Sequence, residues 1–212
     1  MRQKLTCYLQ AIDVLQKGEL VIHQTDTVFG VSGKFDSLKA YDLIYKIKKR
    51  SGDKPLAILL EEISQIKLFS DTPLYLLESI FPLLEKGITI LLPRKENLPS
   101  HLVLQSDYIG LRIPNHEITK KMISGSGPVI CTSANLSGFP PITCYEQALP
   151  LLDEGVYYLE GGEFKNEIAS TILKYENGNY SLIREGNVCK EEVNNHVSLF
   201  FKKNLSILNT NS

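Results

Sequence analysis

The chain has 212 residues, 43% of them hydrophobic and 22% charged, with 23 Lys/Arg against 24 Asp/Glu for a net charge of −1. That length fits one domain able to bury about 70% of its unfolded surface, enough for a core of its own. The balanced charge argues against nucleic-acid binding over a broad basic face. No apolar run approaches the ~20 residues that span a bilayer, and no signal-peptide core follows Met1-Arg2-Gln3-Lys4, so a cytoplasmic protein without a membrane segment is expected.

Leu5, Tyr8, Leu9, Ile12 and Leu15 recur at helical spacing, with Gly18 placed as a C-terminal stop. Residues 19–24 then read as a strand and 25–30 as its exit turn. A second helix is expected from Asp36, as N-cap, to about Lys49, carried by Leu38, Tyr41, Ile44 and Ile47. Strands follow at 56–60, 88–92, 107–113, 128–132, 155–159, 169–174 and 179–184, with helices at 73–86, 116–124, 143–152 and 190–201. Helices and strands alternate early and strands cluster late, which predicts a single α/β domain over 1–203 around one mixed sheet, with 204–212 a frayed polar tail. Cys7, Cys131, Cys144 and Cys189 have no Cys-x-x-Cys spacing and the histidines no zinc spacing, so reduced thiols and no protein-held metal are expected.

Four stretches carry chemistry. Gln24-Thr25-Asp26-Thr27-Val28-Phe29-Gly30 puts hydroxyls and a carboxylate at a strand end, suited either to a small polar ligand or to a turn bonding its own backbone. Lys46 to Lys54 holds five basic residues in nine positions. They either complement a helix C-terminus or clamp a phosphate chain. Cys131-Thr132-Ser133-Ala134-Asn135-Leu136-Ser137-Gly138 follows an apolar strand, where it can leave amides open to an anion or simply turn the chain. Arg112, inside an apolar strand, needs an anionic partner, whether structural or ligand. A further pair, Ser170-Thr171-Ile172 and Ile183-Arg184-Glu185-Gly186, sets another arginine at the end of a strand. Phosphate-loop, dinucleotide and nucleophile-elbow spacings are all missing.

In this order, the stretches resemble the YrdC family of threonylcarbamoyl-AMP synthases. The family's Pro-Thr-Asp/Glu-Thr-x-Tyr/Phe-Gly segment is matched by residues 24–30, and its Lys-x-Arg with Pro-Leu after it by Lys48-Lys49-Arg50 and Pro55-Leu56. Arg112-Ile113-Pro114, Ser133 to Gly138, Ser170-Thr171-Ile172 and Ile183-Arg184-Glu185-Gly186 match four further elements, and the likeness spans about residues 5–190. Each motif alone is short; six in order are specific.

The resemblance implies a twisted mixed parallel/antiparallel sheet flanked by helices around a deep basic cavity. It also implies conversion of ATP, L-threonine and bicarbonate to L-threonylcarbamoyl-AMP and pyrophosphate. That product supplies tRNA threonylcarbamoyl-transferase proteins acting on adenosine 37. By the same likeness Lys48 and Arg50 are catalytic; Lys48, Arg50, Lys54, Ser133, Asn135 and Arg184 bind ATP; and Thr27, Arg112 and Ser170 bind threonine. Mg²⁺ is expected to arrive with ATP rather than in a protein cage.

Three positions depart from the family pattern. Gln24 replaces a proline, Glu85-Lys86-Gly87 stands where many members have Pro-Gly-Pro, and Leu59 falls near a threonine-contacting histidine of longer members. The competing readings are an inactive, weakly RNA-binding regulatory relative and a carbamoyl-transfer module of hydrogenase-maturation type. The latter carries zinc-finger-like cysteines that this sequence lacks.

Overall fold

The computed structural model describes residues 3–49, 56–77, 80–104, 106–153, 155–161 and 168–198. In chain order these form β1 (Lys4–Leu5), α1 (Tyr8–Gln16), β2 (Leu20–His23), β3 (Gly30–Lys34), α2 (Leu38–Lys48) and β4 (Ala57–Leu59). Next come α3 (Phe81–Leu84), β5 (Ile88–Pro93), α4 (Ser100–Val103), β6 (Tyr108–Arg112), α5 (Glu117–Ser126) and β7 (Val129–Ser133). The chain continues through α6 (Tyr145–Ala148), β8 (Val156–Leu159), β9 (Thr171–Glu176) and β10 (Asn179–Arg184), followed by helix α7 over 190–198.

The ten strands form one sheet in the order β1-β8-β2-β3-β7-β4-β6-β5-β9-β10. Parallel pairs (β1 with β8, β8 with β2, β4 with β6, β5 with β9) are interspersed with antiparallel ones, so the sheet is mixed. Side-chain alternation divides the central strands between two apolar layers. Leu20, Ile22, Ile58 and Ile130 point into a core that includes Ala40, Ile44 and Ile47 of α2. Val21, Leu59, Val129 and Cys131 point the other way, against Ala11, Val14 and Leu15 of α1 and Met122 and Ile123 of α5. Burial on both faces is why these strands read as near-continuous apolar runs.

Several boundaries differ from the sequence expectation. Strand β3 was not expected: Gly-Val-Ser-Gly-Lys lacks an apolar alternation. It is a strand because its neighbours fill the space, and a Cβ on Gly33 would lie 2.6 Å from that of Ala40. The helix expected over 73–86 is not formed among the described residues, 73–77 and 80–86. The described residues there make a 3₁₀ turn at Leu74–Leu76 and a single α-turn at Phe81–Leu84. Pro82 supplies no N–H and would clash with the preceding turn of a continuous helix. Pro150 has the same effect at 143–152, where α6 gives way to a 3₁₀ turn at Leu149–Leu151. The N-cap of α2 is Ser37, whose Oγ accepts from Ala40 N at 3.2 Å, one residue beyond the expected Asp36. Gly18 follows α1 with φ +70°, the left-handed conformation expected of a helix stop.

Candidate active site

A cavity of about 360 Å³ opens on the sheet face that carries Leu59 and Cys131. Its described lining contains three cations, Lys48, Arg112 and Arg184, and no carboxylate. Hydroxyl, thiol and amide groups make up most of the remaining polar wall. Such a surface suits a small anionic ligand.

Six of the sequence-predicted site residues meet in this lining: Lys48, Arg112, Ser133, Asn135, Ser170 and Arg184. Thr27 is fully buried and is not among the lining residues; Thr25 takes that place. Arg50 and Lys54 lie outside the described residues. Thr89, Leu59 and Cys131 also line the cavity; Cys131 opens the third stretch and Leu59 was marked as a departure from the family pattern, but none of the three was given a site role.

Lys48 closes α2 and turns inward, with 3% of its surface exposed. Its Nζ donates to Ser133 O at 2.5 Å, Asn135 O at 3.0 Å and Asn135 Oδ1 at 2.6 Å. Ser133 Oγ donates to the same Oδ1 at 2.8 Å, and Asn135 Nδ2 donates to Phe139 O at 2.5 Å. This lysine therefore ties the end of a helix to the loop after β7, where its charge meets neutral oxygens. Of the two readings of this loop, the turn holds at two positions, where Ala134 N donates to Phe29 O and Ser137 N to Lys48 O. Side chains carry the polarity there instead.

At the strand end after β2, Thr25 does what a turn hydroxyl does. It donates to Val28 O at 2.6 Å and accepts from Thr27 N at 3.1 Å. Asp26 reaches across to Arg112, with Nη2 donating to Oδ1 at 2.6 Å and both side chains about nine-tenths buried. The buried arginine thus has a structural carboxylate, yet its Nε has no hydrogen-bond partner among the described residues. Arg184 donates through Nε and Nη2 to Ser170 O at 3.2 and 2.7 Å, and Ser170 Oγ shares a 2.9 Å hydrogen bond with Thr89 Oγ1. Burial, and then the nearby charge of Arg112, lower the pKa of Arg184. Two guanidinium groups in one concave wall are relieved by an incoming anion.

Behind the wall, His23 is wholly buried. One ring nitrogen lies 2.8 Å from Ser32 Oγ, and the other 2.7 Å from Gln24 O. Burial lowers its pKa to about 4, so the ring is neutral at pH 7 and acts as a brace for the Gln24–Thr25 turn. Cys131 lies opposite Ser32 in the β3–β7 register, and burial raises its thiol pKa. A buried thiol pushed upward is a poor nucleophile.

Among known proteins, the Sua5/YciO/YrdC family model, described as "Telomere recombination", matches residues 13–186. A relative from Methanocaldococcus jannaschii is 34% identical over 170 residues, 80% of each chain. One from Buchnera aphidicola, named threonylcarbamoyl-AMP synthase, is 32% identical over 84% of this chain and 96% of its own. The crystal structure of Pyrococcus abyssi Sua5 complexed with L-threonine superposes with a TM-score of 0.82 at 26% identity, covering 89% of this chain and 56% of that longer one. By the extent of the family match and of these relatives, the chain belongs to the Sua5/YciO/YrdC family.

Proposed function

We propose that this protein is an L-threonylcarbamoyl-AMP synthase, making L-threonylcarbamoyl-AMP and pyrophosphate from ATP, L-threonine and bicarbonate. The observation that carries the reading is the convergence of Lys48, Arg112, Arg184, Ser133, Asn135 and Ser170 on one cavity, in a chain related to proteins of that name. A concave site of this size fits small molecules, whereas RNA binding calls for cations spread over an accessible face.

The chemistry follows from the charges. Bicarbonate takes up a proton and loses water to give carbon dioxide, which threonine's amine captures as a carbamate with release of a proton. A carbamate oxygen then attacks the α-phosphorus of ATP. The bond to the bridging oxygen breaks, and pyrophosphate leaves with its electron pair. No protein nucleophile is needed, so catalysis consists of positioning and of stabilising charge on the phosphoryl group and the leaving pyrophosphate. Arg184, with Lys48 and the Ser133–Asn135 loop it fixes, would hold the nucleotide, and Arg50 and Lys54 would add phosphate contacts. Arg112, a cation in the cavity lining, suits threonine's carboxylate, with Ser170 and Thr27 in supporting places.

ATP would enter as its Mg²⁺ complex. The described lining offers cations, hydroxyls and an amide but no carboxylate, so the ion would keep phosphate and water as its ligands. In this reading the protein works in the cytoplasm, and its short-lived product passes to tRNA-modifying transferases. Labelled bicarbonate and threonine should appear together in one adenylated product by mass spectrometry. Incubations that yield no such product from folded protein would contradict the assignment.

A further inference from the structure

Strand register places four cavity-lining side chains in one row. Leu59 of β4 pairs with Arg112 of β6, and Thr89 of β5 pairs with Ile172 of β9. The β5–β6 register pairs Ile90 with Leu111, and one step further it sets Thr89 opposite Arg112. Directly paired residues point to the same face of a sheet, and Ile172, Thr89, Arg112 and Leu59 all line the cavity. Arg112 is therefore flanked by a hydroxyl on one side and an aliphatic side chain on the other.

The two flanks differ in chemistry. Thr89 is 5% exposed and bonded to Ser170, and two hydroxyls sharing one hydrogen bond keep a second O–H to offer. Leu59 is 1% exposed and has no polar atom. Their strands lie on either side of β6, about 9.5 Å apart, which leaves room for one carbon bearing a hydroxyl toward one flank and a methyl toward the other.

We propose that Thr89 and Leu59 sort the two substituents on the β-carbon of substrate threonine. Thr89, with Ser170, takes the hydroxyl and Leu59 takes the methyl, while Arg112 holds the carboxylate. The inference rests on the synthase reading and adds the basis of its selectivity. Serine lacks the methyl that fills the Leu59 side. L-allo-threonine, with the β-carbon inverted, would press its methyl on Thr89 and its hydroxyl on Leu59, leaving polar groups unpaired.

The test is kcat/KM for L-threonine, L-serine and L-allo-threonine, read as pyrophosphate release, in the wild type and in Leu59→Ala, Thr89→Val and Thr89→Ser. All three amino acids are measured on one preparation, so any unfolded fraction cancels in the ratios. Leu59→Ala should reduce the threonine-over-serine preference about tenfold or more, the range expected for a methyl group in an apolar pocket. Thr89→Val should reduce the threonine-over-allo-threonine preference by a similar factor, and Thr89→Ser should restore it. Should Leu59→Ala fail to fold, Leu59→Val is read in the same way. Wild-type ratios kept by the Leu59 and Thr89→Val variants would overturn the assignment. A wild type that turns over ATP without any dependence on threonine would remove the synthase reading, and this inference with it.

Discussion

Arg112 and Asp26 form an ion pair of 2.6 Å in which both side chains are about nine-tenths buried, joining the strand that floors the cavity to the turn that rims it. A pair taken this far out of water contributes little net attraction, but removing one member strands the other charge. Asp26→Ala should therefore destabilise the fold by about 3–5 kcal/mol. Urea unfolding checks this. A change below about 1 kcal/mol would mean that Arg112 finds other partners as readily.

Lys48 joins α2 to the loop after β7 through three oxygens. Lys48→Met keeps the aliphatic stem but leaves Ser133 O, Asn135 O and Asn135 Oδ1 without that donor. A cost of about 1–3 kcal/mol in stability is expected. ATP affinity should fall more than threonine affinity, because the loop lies on the proposed nucleotide side. Calorimetric titration of the two ligands separates the effects.

His23 gives a pH dependence whose sign is fixed. Its pKa is near 4 in the folded protein because burial disfavours the charged ring, against about 6.5 when unfolded. Below pH 6.5 the unfolded chain gains a proton that the folded chain refuses, so stability is full above that value and is lost as pH falls toward 4. The loss should total roughly 3 kcal/mol. His116 is lowered by burial as well and acts in the same direction. Unfolding midpoints at pH 7 and 4.5 should differ less in His23→Gln than in the wild type.

Gly30 lies on the cavity floor, where an added Cβ would sit 2.7 Å from Cys131 Sγ. Gly30→Ala should destabilise by about 1–3 kcal/mol through overpacking. Adding Cys131→Ala removes the clashing sulfur, so the double variant should be more stable than the sum of the two single changes predicts. Strict additivity would place the strain elsewhere.

Local patterns made most of the sheet legible, because strands such as Leu20–His23 and Val129–Ser133 are buried on both sides and read as apolar runs. They failed where tertiary contacts or proline decide, at Gly30–Lys34 and at the turns holding Pro82 and Pro150. Lys48, Ser133, Asn135 and Arg184, which line the cavity, were marked by short motifs, since each group is contiguous in the chain. Thr89 was given no role and Leu59 was marked only as a departure from the family pattern: their position beside Arg112 depends on the register of β5 and β4 against β6, which no single stretch encodes. In the segment around Thr25 the turn buries Thr27 and brings Thr25 to the lining, a matter of backbone geometry that the motif does not encode.

Pyrophosphate release by the purified protein, with Mg²⁺, ATP and bicarbonate, with and without L-threonine and with serine as the control, tests the central claim most directly. The account predicts release that requires both threonine and bicarbonate, is weaker with serine, and is accompanied by the mass of threonylcarbamoyl-AMP. Folded protein that binds ATP yet releases no pyrophosphate on addition of threonine would contradict it.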